Sequence, residues 1–173
     1  MMNDTNKTNL LMIGMPGAGK STVGVLLAKE VSLNFLDVDV FMQGHESRRL
    51  QEIIDNDGID IFMTLEEKYL KEINVDHHVI STGGSAIYSD SGIKHLQQTS
   101  TIIYLSINLD TLKERLGDFS TRGVVIKPGQ TFLDLYKERC TLYNQAADLV
   151  IDCNGKTQDQ IVHEIKKVLK LKN

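Results

Sequence analysis

Cysteine and proline are scarce in this chain, two of each among 173 residues. Cys140 and Cys153 lack Cys-x-x-Cys spacing, which argues against a disulfide framework, a zinc site or a redox pair, so both read as ordinary thiols. With so little proline, no internal repeat and no low-complexity segment, nothing marks a linker, and residues 1–173 read as one domain. No apolar run is long enough to span a bilayer, and Met1 to Thr8 is polar without an apolar signal segment, so a cytoplasmic protein with no membrane partner is expected. Positive charge is also in deficit. The 19 Lys and Arg against 23 Asp and Glu give a net charge of −4, which argues against broad nucleic-acid binding. The basic cluster Lys166, Lys167, Lys170 and Lys172 reads as the solvated end of a helix whose negative dipole end the cations complement. His45, His77, His78, His95 and His163 form no metal-ligand pattern, and the His77-His78 pair reads as surface or strand-edge residues. No surplus apolar stripe demands a partner, so a monomer is expected.

What is present is an alternation of short apolar runs and helical periodicity. Strand candidates fall at Leu10 to Ile13, Phe35 to Asp37, Val79 to Ser81, Thr101 to Leu105 and Leu149 to Ile151. Separated by helices, five such runs predict an α/β protein: a five-stranded parallel sheet with helices on both faces, three layers in all. Val23, Leu26, Leu27 and Val31 fall on one face of the first helix. In the last, Thr157 and Gln160 form a capping box ahead of a buried stripe of Ile161, Val162, Ile165, Val168 and Leu169.

Between the first strand and helix lies Gly14-Met15-Pro16-Gly17-Ala18-Gly19-Lys20-Ser21, a full match to the G-x-x-x-x-G-K-[ST] phosphate loop. Small residues let successive backbone N–H groups converge on one point, where the free donors and dipole of the following helix also act. The motif therefore predicts a nucleoside triphosphate site, with Lys20 reaching the β/γ-phosphates and Ser21 offering a hydroxyl to Mg2+. In open parallel sheets ligands sit at the carboxyl ends of strands, and three more groups fall there. Asp37 and Asp39, at the end of strand two, suit either a metal's water shell and an attacking hydroxyl, or the cap of the next helix. Gly83 and Gly84, after strand three, suit either a backbone that approaches a ligand or a plain tight turn. Arg115, Arg122 and Arg139 suit phosphoryl charge or a carboxylate, or else surface ion pairs. Arg122 falls in the polar stretch 117–129, which has the character of a closing lid.

The order of these motifs resembles the shikimate kinase family, within the nucleoside-monophosphate-kinase-like P-loop group, across roughly Asn9 to Leu169. Its pieces are the phosphate loop, Leu36-Asp37-Val38-Asp39, Gly58 to Phe62 leading to Glu66, Ser81-Thr82-Gly83-Gly84, Arg115 to Arg122, and Arg139 to Tyr143. The resemblance implies a P-loop kinase fold and transfer of the γ-phosphoryl of MgATP to a hydroxyl of a small acid, with a link to aromatic amino acid biosynthesis. It implies that Gly17, Ala18, Gly19, Lys20, Ser21, Thr22 and Arg115 bind the nucleotide, Arg115 against adenine. It further implies that Ser21 and Asp37 serve Mg2+, that Asp39, Gly83, Gly84 and Arg139 bind substrate, Arg139 through the carboxylate, and that Lys20, Asp39 and Arg122 carry catalysis, with Asp39 as candidate base.

Three departures from the family pattern stand out. Met63 occupies the place of a second carboxylate-binding arginine, Ser85 that of a third glycine, and Gly123 that of a proline after Arg122. Loss of a charged partner for a buried carboxylate weakens binding by orders of magnitude or changes preference. Shikimate is thus the best single acceptor, a different hydroxyl-bearing metabolite the alternative, with Arg48 or Arg49 as possible replacements for the missing charge. A nucleotide-binding regulatory protein with little turnover is the third possibility.

Overall fold

The computed structural model describes residues 7–116 and 129–171. Arg122 and nearly all of the expected lid, 117–129, lie outside the described residues. In chain order the elements are β1 (Asn9–Ile13), α1 (Lys20–Glu30), β2 (Asn34–Asp37), α2 (Val38–Glu46), α3 (Leu50–Asp57), α4 (Ile59–Glu72), β3 (His78–Ser81), a 3-10 turn (Ala86–Tyr88), α5 (Asp90–Gln97), β4 (Ser100–Ser106), α6 (Leu109–Leu116), α7 (Phe132–Ala146), β5 (Leu149–Asp152) and α8 (Gln158–Leu169).

The five strands form one parallel sheet in the order β2-β3-β1-β4-β5. Every residue of β1 is buried, as a central strand covered on both faces requires. Right-handed crossovers place α1 and α8, which pack together, on one face, and α5 and α7, both against β4, on the other. The chain leaves β1 toward β2 but leaves β3 toward β4. The reversal puts a crevice at the carboxyl ends of β1 and β3, where the phosphate loop and Gly83-Gly84 emerge side by side. Thr82 ties the two strand ends together, its N–H and Oγ1 both donating to the Met12 carbonyl at 3.2 and 3.1 Å.

Helices α2 to α4 form a separate wall over the crevice, with their own apolar centre of Met42, Ile53, Phe62 and Tyr69. Two expectations need correction. Asp39 belongs to the first turn of α2, not to the strand end, because Asp37 Oδ1 accepts the N–H groups of Asp39 and Val40 at 3.0 and 3.2 Å and so starts a helix there. Val168 is 51% exposed, since it sits at the edge of the α8 stripe in the last turn, whereas Ile161, Val162 and Ile165 are buried. The Thr157–Gln160 capping box is present, and Lys166 pairs with Glu30 of α1 at 2.9 Å. No helix among the described residues is long and apolar enough to cross a membrane.

Candidate active site

The phosphate loop wraps around its own lysine. Lys20, 7% exposed, donates to the carbonyls of Gly14 and Met15 at 2.9 and 3.0 Å, which fixes its ammonium inside the loop. Burial pulls its pKa down to about 8, against the opposing pull of Asp39, so it stays cationic at neutral pH. Gly17 and Gly19 have φ of 81° and 97°, the left-handed region that a Cβ disfavours, and the turn is closed by the Ala18 N–H donating to Met15 at 3.1 Å. Gly19 is the N-cap of α1 and no side chain caps that helix, leaving its first donors to an anion.

Carboxylates gather on the side facing the helical wall. Asp37 does two jobs: one oxygen caps α2, and Oδ2 accepts the Ser21 hydroxyl at 2.6 Å. Asp39 and Glu66 flank Gly83 so closely that a Cβ there would lie 2.7 Å from Asp39 Oδ1 and 2.7 Å from Glu66 Oε1. Burial, reinforced by the negative charge of Asp37, pushes Asp39 up to about 6. Burial pushes Glu66 up to about 7, offset by the Ser85 hydroxyl that donates to Oε1 at 3.1 Å and reinforced by Asp39. Ser85, in place of a third glycine, thus has a definite partner.

Arg139, 1% exposed, reaches the cleft from α7. Its Nε donates to the Tyr88 hydroxyl at 3.4 Å, its guanidinium lies 5.1 Å from the centre of the Tyr88 ring, and a Cβ on Gly84 would lie 3.1 Å from Nη1. The Tyr143 hydroxyl donates to the Gly84 carbonyl at 2.6 Å and pins this loop to the same helix. On the far side Arg115 leans over the phosphate loop, Nη1 3.4 Å from the Gly17 carbonyl.

One cleft of about 890 Å³ joins these groups, a volume in the range of known ligand sites. It is lined by Gly17, Gly19, Lys20, Ser21, Thr22 and Arg115 at one end, and by Asp39, Gly83, Gly84 and Arg139 at the other. Ala18 is buried behind the loop, and Asp37 reaches the cleft through Ser21. Gln43, Arg49, Phe62 and Gln158 also line it. Of these, Arg49 was considered from sequence as a replacement charge and Phe62 as part of the family's substrate helix, whereas Gln43 and Gln158 were not; Arg48 is instead held by Asp57 at 2.7 Å and Glu46 at 3.4 Å. Glu66 was legible as a helix position but not as a site group. The available signal was a lone carboxylate in the buried face of α4, among Phe62, Tyr69 and Leu70.

The arrangement pairs an anion cradle with a carboxylate near the pKa useful for taking a hydroxyl proton, and with a buried guanidinium suited to a carboxylate. Ser21 Oγ and Asp37 Oδ2 are hard oxygen donors beside the cradle, and no cluster of three or more His, Cys, Asp or Glu among the described residues could hold a metal by itself. That donor set fits Mg2+, which is commonly held by one or two protein groups together with water and phosphate oxygens.

The model of the family described as Shikimate kinase matches residues 16–170. A shikimate kinase of Clostridium botulinum is 34% identical over 164 residues, covering 94% of this chain and 98% of that protein. Among solved structures, shikimate kinase from Acinetobacter baumannii in complex with shikimate superposes with a TM-score of 0.85 at 28% identity, covering 95% of this chain and 94% of that one. Shikimate kinase from Aquifex aeolicus gives 0.82 at 29% identity, covering 94% and 96%.

Proposed function

The chain belongs to the shikimate kinase family, and we propose on that premise that it transfers the γ-phosphoryl group of ATP to a hydroxyl of shikimate, giving shikimate 3-phosphate and ADP. The observation that carries this is the continuity of the cleft: the phosphate loop and the Asp39–Gly83–Gly84–Arg139 group share one space with no wall between them. Arg139 binds the substrate carboxylate, and Asp39 accepts a hydrogen bond from the acceptor hydroxyl. As the hydroxyl oxygen bonds to the γ-phosphorus and the bond to the β-bridging oxygen breaks, the hydroxyl proton passes to Asp39, whose position near 6 leaves it mostly ionised at neutral pH. Lys20 and the loop N–H groups hold the phosphates, Arg115 packs on adenine, and Arg122 adds positive charge. Ser21 and Asp37 would hold Mg2+, which would supply positive charge to neutralise the phosphates. Glu66, braced by Ser85, fixes the wall against which Asp39 and Gly83 rest.

The proposed enzyme is a single-domain monomer, and a cytoplasmic setting accords with the free thiols of Cys140 and Cys153. One observation favours a different hydroxy acid as acceptor: Met63 is packed against the apolar centre of the helical wall and supplies no charge to the cleft. Mass spectrometry after incubation with MgATP and shikimate distinguishes the two. A shikimate monophosphate is the expected product, and unchanged shikimate alongside a phosphorylated alternative acid would replace the assignment.

A further inference from the structure

The helical wall carries a cation with no partner among the described residues. Arg49 is the N-cap of α3 and lines the cleft, yet among the described residues its guanidinium forms no hydrogen bond or ion pair. Its neighbour Arg48 is the opposite case, clamped by Asp57 and Glu46. The backbone of Arg49 is held from both sides: its N–H donates to Glu52 Oε2 at 2.9 Å, its carbonyl accepts from the Ile53 N–H at 3.1 Å, and the next N–H, of Leu50, donates to Gln43 Oε1 at 3.3 Å. A fixed backbone at the rim, an uncommitted forked cation and a position on the same wall as Asp39 suit a group that meets an anionic substrate. The nucleotide's phosphates already have Lys20 and the loop at the other end of the cleft, so the anion within reach of this wall is the acceptor's carboxylate.

We propose that Arg49 is a specificity-determining residue that binds the carboxylate of the acceptor together with Arg139, supplying from the start of α3 the charge that Met63 does not supply from α4. This rests on the proposed use of shikimate, a monocarboxylic acid with three hydroxyls. Two guanidiniums on one carboxylate, reaching it from different helices, would fix both the position and the rotation of the ring, and so decide which hydroxyl faces Asp39. One of the two is buried and rigid, and the other is exposed and able to close on the substrate once it has entered.

The test is steady-state kinetics of the wild-type protein, Arg49→Ala, Arg49→Lys and Arg48→Ala, each with shikimate and with its neutral methyl ester. In Arg49→Ala the KM for shikimate rises about ten- to a hundredfold, with the KM for ATP and the KM for the ester unchanged. Arg49→Lys, which keeps the charge but loses the fork, falls between, and Arg48→Ala leaves both acceptors unaffected. An unchanged shikimate KM in Arg49→Ala, or an equal rise for acid and ester, overturns the assignment while leaving the kinase function standing. A wild-type protein that turns over neither acceptor removes the proposed function first, and with it the carboxylate assigned to Arg49. Arg49 is exposed, and thermal unfolding of each variant verifies that the fold is retained.

Discussion

Replacing Gly84 with alanine should push apart the two loops on which transfer depends. Gly84 needs no unusual backbone conformation, so the substitution acts through space alone. Its Cβ would lie 2.5 and 2.7 Å from Cδ and Cγ of Pro16, and 3.1 Å from Arg139 Nη1. The proline ring cannot rotate away, being part of the phosphate loop, and the Gly84 carbonyl is held on its other side by Tyr143 at 2.6 Å. Restoring ordinary contact requires the phosphate loop and the substrate loop to separate by about 1 Å. Such overpacking costs about 1–3 kcal/mol of stability, a fall in Tm of roughly 2–4 °C for each kcal/mol in a protein of this size. Misplacement of this order costs about a hundredfold in kcat/KM when it lies between reacting groups. Thermal unfolding and steady-state kinetics with MgATP and shikimate measure both effects. Gly44→Ala is the control: a glycine in the last turn of α2 with nothing within 4 Å of its Cβ, it should gain up to about 0.5–1 kcal/mol with kinetics intact. Wild-type Tm and wild-type kcat/KM in Gly84→Ala would refute the close apposition of the two loops.

Removing the buried ammonium in Lys20→Ala should lower kcat by at least about a hundredfold, and a near-normal rate would mean that the phosphate loop is not the site of transfer. Glu66 faces Asp39, Arg139, Lys20 and Ser85, and its pKa lies at about 7 against an ordinary value of 4.5. The folded protein therefore holds a proton that the unfolded chain releases, and stability falls as pH rises through this window. Urea unfolding should show Glu66→Gln gaining up to about 3 kcal/mol on wild type between pH 5 and pH 8, whereas a constant difference would contradict the burial of an ionisable carboxyl. Met63→Arg should lower the KM for shikimate, as measured in initial-rate assays, if a further guanidinium can reach the acid from α4. No improvement would mean that charge at this position does not limit shikimate use.

The sheet was legible because its central strands are short apolar runs of the kind a doubly covered parallel sheet requires, as β1 shows residue by residue, while the edge strands β2 and β5 are less buried. The phosphate loop was legible because its backbone geometry admits few residue types. Asp39 was misplaced for a local reason: the alternation Leu36-Asp37-Val38-Asp39 has the period of a strand, but the Asp37 carboxylate captures the next two donors and turns the chain into a helix. The roles of Arg48 and Arg49 could not be separated in sequence, since which of two adjacent arginines faces the cleft depends on Asp57 and Glu46 claiming the first. Glu66 likewise became a site group only through the packing of α4 against the Ser81-to-Ser85 loop, a contact between distant segments.

If one cleft holds ATP and shikimate together for transfer, the most direct measurement is ADP release by the purified protein with MgATP, in the presence and absence of shikimate, through a coupled spectrophotometric assay. Strong shikimate-dependent ADP release, saturable in both substrates, is the predicted result. A slow release that shikimate leaves unchanged would contradict it.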